Sequence, residues 1–363
     1  MIGVALILSL AVAACAGDDD ATTTAENGDA GQSLSQDTLK VAIYDAPNNA
    51  MLLRTALARG YFEDEGLSLE ILNIGTGAEQ LAGLTGGSLD MTQSGPSTTM
   101  IPMEKGEIDV KLVGTAAVGS DWQLAIDPDF AESRGFDADT DPEEIIPELA
   151  GAKFGGVVGP TDSIATVLSY VLSQYGVDPA GETTTEYLGS TPAMLASLEA
   201  GRIDAFLSPS DQTSFAKDRV GAVIVSLQDL EKVPNITDGV ANFFTVTSSF
   251  AEEHPDTLDA FMKAYWSAWD YLKDEGNQEE VHDLMKEAYP DMSEAVFDAT
   301  FDIGYQVYSR NGAYVSEGAF DSTLDLVNST QEAPLETVSY SASFDSSFQD
   351  AAIADLGITP PNA

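Results

Sequence analysis

Apolar and polar positions follow each other along the chain in a repeating strand–helix order. Residues 39–44, LKVAIY, and residues 67–74, LSLEILNI, have the short apolar runs and the alternation of β-strands. Between them, Pro47 is placed to open a helix that ends before Gly60. A repeated strand–helix–strand order predicts mainly parallel sheets that helices cover on both faces.

The second half of the chain repeats a segment of the first half. Residues 74–91, IGTGAEQLAGLTGGSLDM, align without a gap with residues 188–205, LGSTPAMLASLEAGRIDA. Each copy has an apolar helix face, a glycine near the helix end and a short strand, and the first copy starts with a Thr76–Glu79 capping box. The repeat predicts two lobes of similar construction. Generic strand–helix similarity is the alternative explanation.

The first 15 residues have the pattern of a secretory signal peptide. Residues 2–14 are almost wholly apolar, but this run is too short to span a bilayer. The sequence VAAC at 12–15 resembles the bacterial lipobox, and Cys15 is the only cysteine of the chain, so an internal disulfide is excluded. We expect residues 1–15 to be a lipoprotein signal peptide with lipidation at Cys15. A buried apolar N-terminus with an incidental thiol is the alternative.

Residues 16–38 are polar or small, with Leu34 as the one large apolar residue. Such a segment buries too little surface to offset its chain entropy, so it predicts a disordered tether. Lipid and tether together would hold the folded part at the extracytoplasmic face of the cell membrane, on the periplasmic side if an outer membrane exists.

Charge restricts the partners of the folded part. The chain has 60 acidic and 15 basic residues among 363, which gives a formal net charge of -45. A surface of this sign repels nucleic acid and anionic lipid headgroups, so neither is an expected partner.

Five segments in order resemble landmarks of the ABC-transporter substrate-binding proteins of the nitrate, sulfonate, taurine and thiamine-precursor (hydroxymethylpyrimidine) group. They are LARGYFEDEGLSLEI (57–71), LAGLTGGSLD (81–90), LAGAKFGGVVGPTDS (149–163), LASLEAGRIDAF (195–206) and SSFAEEHPDTLDAFMKAYWSAWDYL (248–272). The resemblance implies an α/β fold of the periplasmic-binding-protein-like type II class, with two doubly wound lobes, two crossover strands and a ligand cleft between the lobes. Residues 127–148 look longer than the usual connection in that family.

The same resemblance implies domain bounds and a function. We expect lobe 1 to contain residues 39–120 and 243–345, lobe 2 to contain residues 121–242, and residues 346–363 to form a C-terminal tail. The expected function is that of a solute receptor of an ABC importer, which captures a small polar solute by hinge closure and delivers it to a membrane permease. A sulfonate or taurine-like solute or a heterocycle such as a pyrimidine fits. The alternative is a lipoprotein sensing subunit that passes its bound state to a signalling partner.

The candidate binding residues lie where strands end. Ligands of open α/β sheets bind beyond the carboxyl ends of the strands, near helix N-termini. The candidates are Tyr44, Asp45, Asn48, Gly75, Thr76, Ser94 and Ser97 in lobe 1, Trp122 beside the crossover, and Thr161, Asp162, Ser163, Ser208 and Asp211 in lobe 2. The repeat pairs Ser94 with Ser208. Thr161 or Asp162 could instead only cap the helix that follows, and Trp122 could stack on a ligand or fill the hinge.

The chemistry of these loops favours binding over catalysis. They carry hydroxyls and carboxylates without Lys or Arg at their tips, which disfavours a densely charged anion such as phosphate. Hydroxyls and helix N-termini could hold one sulfonate or carboxylate, while an Asp receives an amine or a ring N–H. The two histidines, His254 and His282, lie far from the predicted cleft, so we expect no enzyme, no cofactor and no metal.

Overall fold

A computed structural model describes residues 33–361. The strands are β1 Thr38–Ile43, β2 Ser68–Asn73, β3 Met91–Ser94, β4 Val110–Thr115, β5 Trp122–Ile126, β6 Lys153–Gly156, β7 Thr184–Tyr187, β8 Ala205–Pro209, β9 Val223–Ser226 and β10 Phe243–Thr247. The predicted signal peptide, Cys15 and most of the predicted tether lie outside the described residues.

Helices connect and cover these strands. They are α1 Met51–Ala58, α2 Tyr61–Asp64, α3 Gly77–Thr85, α4 Pro96–Glu104, α5 Pro128–Arg134, α6 Pro142–Glu148, α7 Ser163–Gln174, α8 Thr191–Glu199, α9 Ser210–Val220, α10 Pro234–Thr237, α11 Ser248–Glu253, α12 Pro255–Leu272, α13 Gln278–Ala288, α14 Glu294–Asn311, α15 Glu317–Asn328, α16 Tyr340–Ser343 and α17 Ser347–Leu356, with 3-10 turns at Leu227–Asp229 and Glu275–Asn277. Within residues 33–361, every helix is too short or too polar to cross a membrane.

Two sheets of five strands have the same topology. The strand order is β2-β1-β3-β10-β4 in one sheet and β7-β6-β8-β5-β9 in the other. In each sheet a single antiparallel strand, β10 or β5, separates the parallel strands from the last strand. We call the sheet containing β1 and its helices lobe 1, and the sheet containing β6 and its helices lobe 2. This arrangement confirms the predicted α/β fold of two doubly wound lobes.

The sequence repeat occupies equivalent places in the two sheets. The first copy begins directly after β2 and contains α3 and the first residue of β3, and the second copy begins directly after β7 and contains α8 and the first residue of β8. Both helices begin with a hydroxyl cap, because Thr76 Oγ1 accepts from the Glu79 amide at 3.3 Å and Ser190 Oγ accepts from the Ala193 amide at 3.4 Å.

Each lobe has its own apolar core. In lobe 1, α12 places Phe261, Tyr265 and Trp266 against the sheet and against α1, and all three are almost fully buried. In lobe 2, the face of α7 that includes Leu168 packs with Phe154 of β6. Periodic apolar positions on these two helices therefore form the cores, as expected for amphipathic helices.

Both ends of the described chain pack on lobe 1. Residues 347–356, which the sequence analysis assigned to a terminal tail, form α17, whose Phe348 and Ala352 join the lobe 1 core. At the other end, the Ser35 amide donates to Asp256 at 2.6 Å, although the sequence analysis placed Ser35 in the tether.

The long connection after β5 forms two helices of lobe 2. Asp127 and Asp141 cap α5 and α6 through their carboxylates, and Pro follows each cap at the first helical position. Ile145 and Ile146 then join the core of lobe 2. The extra length of residues 127–148 thus enlarges lobe 2 and leaves the cleft clear.

The two lobes are joined by segments that lie side by side. Val118, between β4 and β5, forms an antiparallel bridge with Val240, just before β10. The Gly119 amide donates to the Gly239 carbonyl at 2.7 Å. Helix α15 packs beside this pair, and its Thr323 hydroxyl accepts from the Val240 amide at 2.7 Å. The hinge is therefore a short two-stranded ribbon supported by a helix.

Candidate functional site: the cleft between the lobes

A cavity of about 800 Å³ lies between the lobes. It is bordered by the loops at the carboxyl ends of β1, β2 and β3 and by the corresponding loops of lobe 2, which is where the open-sheet rule places a ligand. All candidate residues except Asn48 and Ser94 line it, namely Tyr44, Asp45, Gly75, Thr76, Ser97, Trp122, Thr161, Asp162, Ser163, Ser208 and Asp211. The volume is within the range of sites for drug-sized ligands.

The lobes touch each other at the rim of this cavity. Ser97, near the start of α4, lies with its hydroxyl 3.0 Å from the hydroxyl of Ser163, the first residue of α7. A Cβ on Gly95 would lie 2.8 Å from the Ser163 Cβ, so glycine allows this approach. The cleft is therefore closed along this edge.

Two candidates on lobe 1 already have partners inside the protein. Asp45 forms an ion pair with Arg54 of α1 and accepts a hydrogen bond from the Tyr289 hydroxyl at 2.6 Å. Ser94 is fully buried, and its hydroxyl lies 2.7 Å from that of Thr99. Asp45 thus lines the cavity, but its charge is paired with that of Arg54. Ser94 lies behind the cavity wall.

Asn48 also lies behind the cavity wall, where it links the two lobes. Its side-chain amide donates to Asp121, and the same carboxylate oxygen accepts from the Ser210 amide at 3.1 Å and the Ser210 hydroxyl at 2.7 Å. Asn48 and Asp121 are both buried. The Asp121 carboxylate thereby occupies the N-terminus of α9, where a negative charge is stabilised by the helix dipole.

Asp162 is the N-cap of α7, as the alternative interpretation of the sequence had it. One carboxylate oxygen accepts from the Ala165 amide at 2.8 Å, and the other accepts from the Val158 and Gly159 amides at 2.9 and 3.2 Å. Across the cleft, burial and the charge of Asp162 raise the pKa of Tyr44, which keeps this phenol protonated. The Asp162 carboxylate therefore occupies the N-terminus of α7, where the sequence had suggested a site for an anion.

Ser208 and Asp211 remain available to a ligand. Ser208 is fully buried at the end of β8, and its hydroxyl has no hydrogen-bond partner among the described residues. Asp211 accepts from its neighbour Gln212 at 2.8 Å. Burial, aided by the nearby charge of Asp121, raises the pKa of Asp211 to about 6. A buried hydroxyl without a partner and a carboxyl group in a poorly solvated place both gain from a ligand that supplies hydrogen bonds.

The cavity also contains residues that the sequence analysis did not select. Lys105 and Glu107 come just after α4. Gln212 is in α9 of lobe 2, and Asn242 directly precedes β10. Asn242 is a polar residue inside the apolar run VANFFTV, which is a signal that could have been used. Lys105 follows a helix rather than a strand, so the strand-end rule does not reach it.

Neither histidine lines the cavity. The His282 ring lies 3.1 Å from Asp298, and His254 lies 3.0 Å from the Ser35 hydroxyl. Among residues 33–361, no group of three His, Cys, Asp or Glu side chains is placed to hold a metal ion.

Sequence comparison places the chain in a family. The model of the NMT1-like family matches residues 34–286, which include both sheets and the whole cleft. The chain belongs to the NMT1-like family. Among curated proteins, none matches the chain in sequence.

Solved structures show the same fold in proteins of low sequence identity. A protein from Bordetella bronchiseptica RB50 superposes with a TM-score of 0.72 at 20% identity, over 90% of this chain and 100% of that chain. The ligand-binding component of an ABC-type import system from Staphylococcus aureus, with zinc bound, has a TM-score of 0.65 at 15% identity, over 87% and 99%. An alkanesulfonate-binding protein from Xanthomonas axonopodis pv. citri, bound to MOPS, has a TM-score of 0.61 at 15% identity, over 81% and 91%. The family resemblance of the sequence is confirmed.

Proposed function

We propose that the chain is the solute receptor of an ABC importer, held at the extracytoplasmic face of the membrane by lipid on Cys15. The observation that supports this most strongly is the cavity of about 800 Å³ between two lobes that touch at Ser97 and Ser163. Hinge closure over a solute would bring the two lobes into one surface that a permease recognises. The import-system component and the alkanesulfonate-binding protein with this fold agree with that role.

The charges that line the cavity favour a solute with a hydrogen-bond donor. Asp45 is paired with Arg54, Asp162 is satisfied by three backbone amides and Glu107 is exposed to water, so Asp211 is the less solvated carboxyl group that remains for a solute. An amine or a ring N–H fits it. A taurine-like zwitterion or a heterocycle such as a pyrimidine therefore suits the cavity better than nitrate.

One helix N-terminus remains for an acidic group of the solute. The first turn of α4 has no side-chain cap, and its residues Ser97 and Thr98 line the cavity. Backbone amides at a helix start attract a sulfonate or carboxylate. A solute with an acidic group there and an amine at Asp211 would join the two lobes.

Thermal unfolding with a panel of solutes tests this function. The panel contains taurine, alkanesulfonates, nitrate, pyrimidines and polyamines. A solute at 100 times its Kd stabilises the folded protein by about 2.7 kcal/mol. We expect at least one amine-bearing or N–H-bearing solute to do so, and Ser208→Ala to weaken that effect. If no member of the panel raises the Tm, the receptor function is contradicted.

Metabolic labelling with a radioactive fatty acid tests the anchor. We expect label in the protein expressed in a bacterium that processes lipoproteins, and none in Cys15→Ser. Equal labelling of the two would contradict lipidation at Cys15 without affecting the solute site.

A further inference from the structure

The cavity continues along lobe 1 in a groove between α3 and α4. Ala78, Ala82 and Thr85 line it from one face of α3, and Ile101 and Lys105 line it from one face of α4. These residues define the α3–α4 groove. The spacing of three or four positions places each set on one side of its helix. Small side chains on α3 leave the space between the helices open.

The equivalent helices of lobe 2 leave no such groove. The repeat alignment, continued without a gap, pairs Ile101 with Phe215, Thr85 with Glu199 and Lys105 with Arg219. Arg219 forms an ion pair with Glu199 at 3.0 Å, and its guanidinium carbon lies 5.0 Å from the centre of the Phe215 ring. None of these three residues lines the cavity. The open groove is therefore found between α3 and α4 of lobe 1 and not between the equivalent helices α8 and α9 of lobe 2.

The α3–α4 groove belongs to the same cavity as Ser208 and Asp211, which form its polar end. At that end lie the unpartnered hydroxyl of Ser208, which is fully buried, and the carboxyl group of Asp211, which no Lys or Arg pairs with in the described part of the chain. A solute that satisfied only these two groups would leave the groove to water. A solute with an apolar body would displace that water from the exposed Ala78 and Ala82 of α3 and would pack beside Ile101.

We propose that the solute is an amphipathic amine, whose nitrogen lies at Asp211 and Ser208 and whose apolar body lies in the α3–α4 groove. This inference rests on the proposed receptor function and specifies its substrate class. The exposed ammonium group of Lys105 stands at the outer end of the groove, so the apolar body ends there or carries an acceptor that reaches Lys105.

Calorimetric titration of the full chain with n-alkylamines from ethylamine to octylamine tests the inference. Burial of each methylene group in the groove increases the affinity about threefold to fourfold until the groove is full. The matching n-alkanesulfonates serve as the comparison series. We expect the chain-length gain with the amines.

Two variants separate the groove from the rest of the cavity. Ala82→Trp fills the groove at an exposed position of α3 and should remove the chain-length gain. Ala196→Trp is the matched control, because Ala196 is the repeat partner of Ala82 on α8, is also exposed and does not line the cavity. Thr85→Glu places a carboxylate opposite Lys105, as in the Glu199–Arg219 pair, and should also reduce the gain.

The outcomes distinguish this inference from the proposed function. Affinity that does not change with chain length, or equal effects of Ala82→Trp and Ala196→Trp, would overturn the groove assignment while the receptor function stands. Binding of sulfonates or other panel members without binding of any amine would overturn the amine assignment. Failure of every panel compound and of both series would overturn the receptor function and this inference with it.

Discussion

Lobe 1 and lobe 2 share a strand order and a sequence repeat, yet they use equivalent positions differently. Ser94 is the last residue of β3 and Ser208 is the last but one of β8, each in the third strand of its sheet, and both are fully buried. The Ser94 hydroxyl lies within hydrogen-bond distance of those of Thr99 and Thr245, whereas the Ser208 hydroxyl has no partner in the described chain. The same residue at equivalent places thus supports the fold in one lobe and has an unpartnered hydroxyl, which we propose binds the solute, in the other. Sequence repetition therefore transfers structure more faithfully than it transfers chemistry.

The largest expected effect comes from the contact between the lobes at Gly95. Its φ of −71° suits any residue, but in the closed cleft the new Cβ of Gly95→Ala would lie 2.8 Å from the Ser163 Cβ, which no rotamer can move. We expect solute affinity to fall by about 100-fold, equivalent to about 2.7 kcal/mol, because the closed state becomes inaccessible. Calorimetry measures the affinity, and small-angle scattering measures the opening.

Two controls accompany this variant. Gly75→Ala also adds a methyl group in the cavity wall, but it meets no atom within 4 Å, so it should keep the affinity. Adding Ser163→Gly to Gly95→Ala removes the opposing Cβ and should restore binding. Tight binding by Gly95→Ala alone would show that the lobes close on the solute by another contact.

A pair of serine variants gives the second effect and tests the comparison directly. Ser94→Ala removes a buried hydroxyl from Thr99 and should lower the free energy of unfolding by about 1–2 kcal/mol. Ser208→Ala removes a hydroxyl that bonds nothing in the described chain, so it should leave stability nearly unchanged and weaken solute binding about fivefold to tenfold. Urea unfolding and calorimetry measure both quantities. Identical behaviour of the two variants would remove the distinction between the lobes.

The pH dependence of stability gives a smaller effect, at Asp211. Its pKa of about 6 in the folded protein exceeds the value of about 4 for an unfolded chain, so the folded state retains a proton that the unfolded chain has lost. The free energy of unfolding therefore decreases as the pH rises from about 4 to above 6. Asp211→Asn removes this contribution and should be more stable above pH 6 by about 1 kcal/mol, after allowance for screening at a partly exposed group.

Urea unfolding between pH 4 and pH 7 measures the free energy of unfolding of Asp211→Asn and of the unaltered protein. The difference between the two values at each pH gives the contribution of Asp211. Ser97→Ala, at the lobe 1 position equivalent to Asp211, should give no pH-dependent difference. A constant gap between Asp211→Asn and the unaltered protein over this range would show that the carboxyl group is well solvated.

The smallest effect concerns the ion pair that spans the helices of lobe 2. Arg219→Ala breaks its exposed pair with Glu199 and should lower the free energy of unfolding by less than about 1 kcal/mol. Solute affinity should not change, since Arg219 does not line the cavity. Chemical unfolding and calorimetry check both values. A change in affinity would mean that the helix pair of lobe 2 also contributes to the site.

The sequence was sufficient for the fold and for the location of the cleft. Periodicity, caps and the repeat identify elements such as α3 and α8 because local structure depends on near neighbours. The strand-end rule placed most candidates on the cavity wall. The rule also predicted Ser94 and Asn48 as wall residues, but both lie behind the wall. The Ser94 hydroxyl pairs with Thr99 and the Asn48 amide pairs with Asp121, and the rule cannot show such pairings.

Pairings across long sequence distances account for the remaining differences. Asp45 forms an ion pair with Arg54 and accepts a hydrogen bond from Tyr289, which is more than 200 residues away along the chain. The helix α17 was unexpected because the tail that contains it is polar and rich in serine. Its Phe348 and Ala352 become buried only when α17 packs on the rest of lobe 1, chiefly on α12. Such contacts are set by the packing of the whole lobe, and no local pattern reports them.

Val118 and Val240 of the ribbon join Phe320 of α15 in an apolar cluster that also contains Leu112 of β4 and Phe243 of β10, so the junction packs against the lobe 1 sheet. In the proposed receptor, packing at this junction contributes to the free-energy difference between open and closed arrangements, and the fraction of binding-competent molecules scales the apparent affinity of the cleft. We therefore expect substitutions at Phe320, which does not line the cavity, to change how tightly the proposed receptor holds its solute and how readily it releases it.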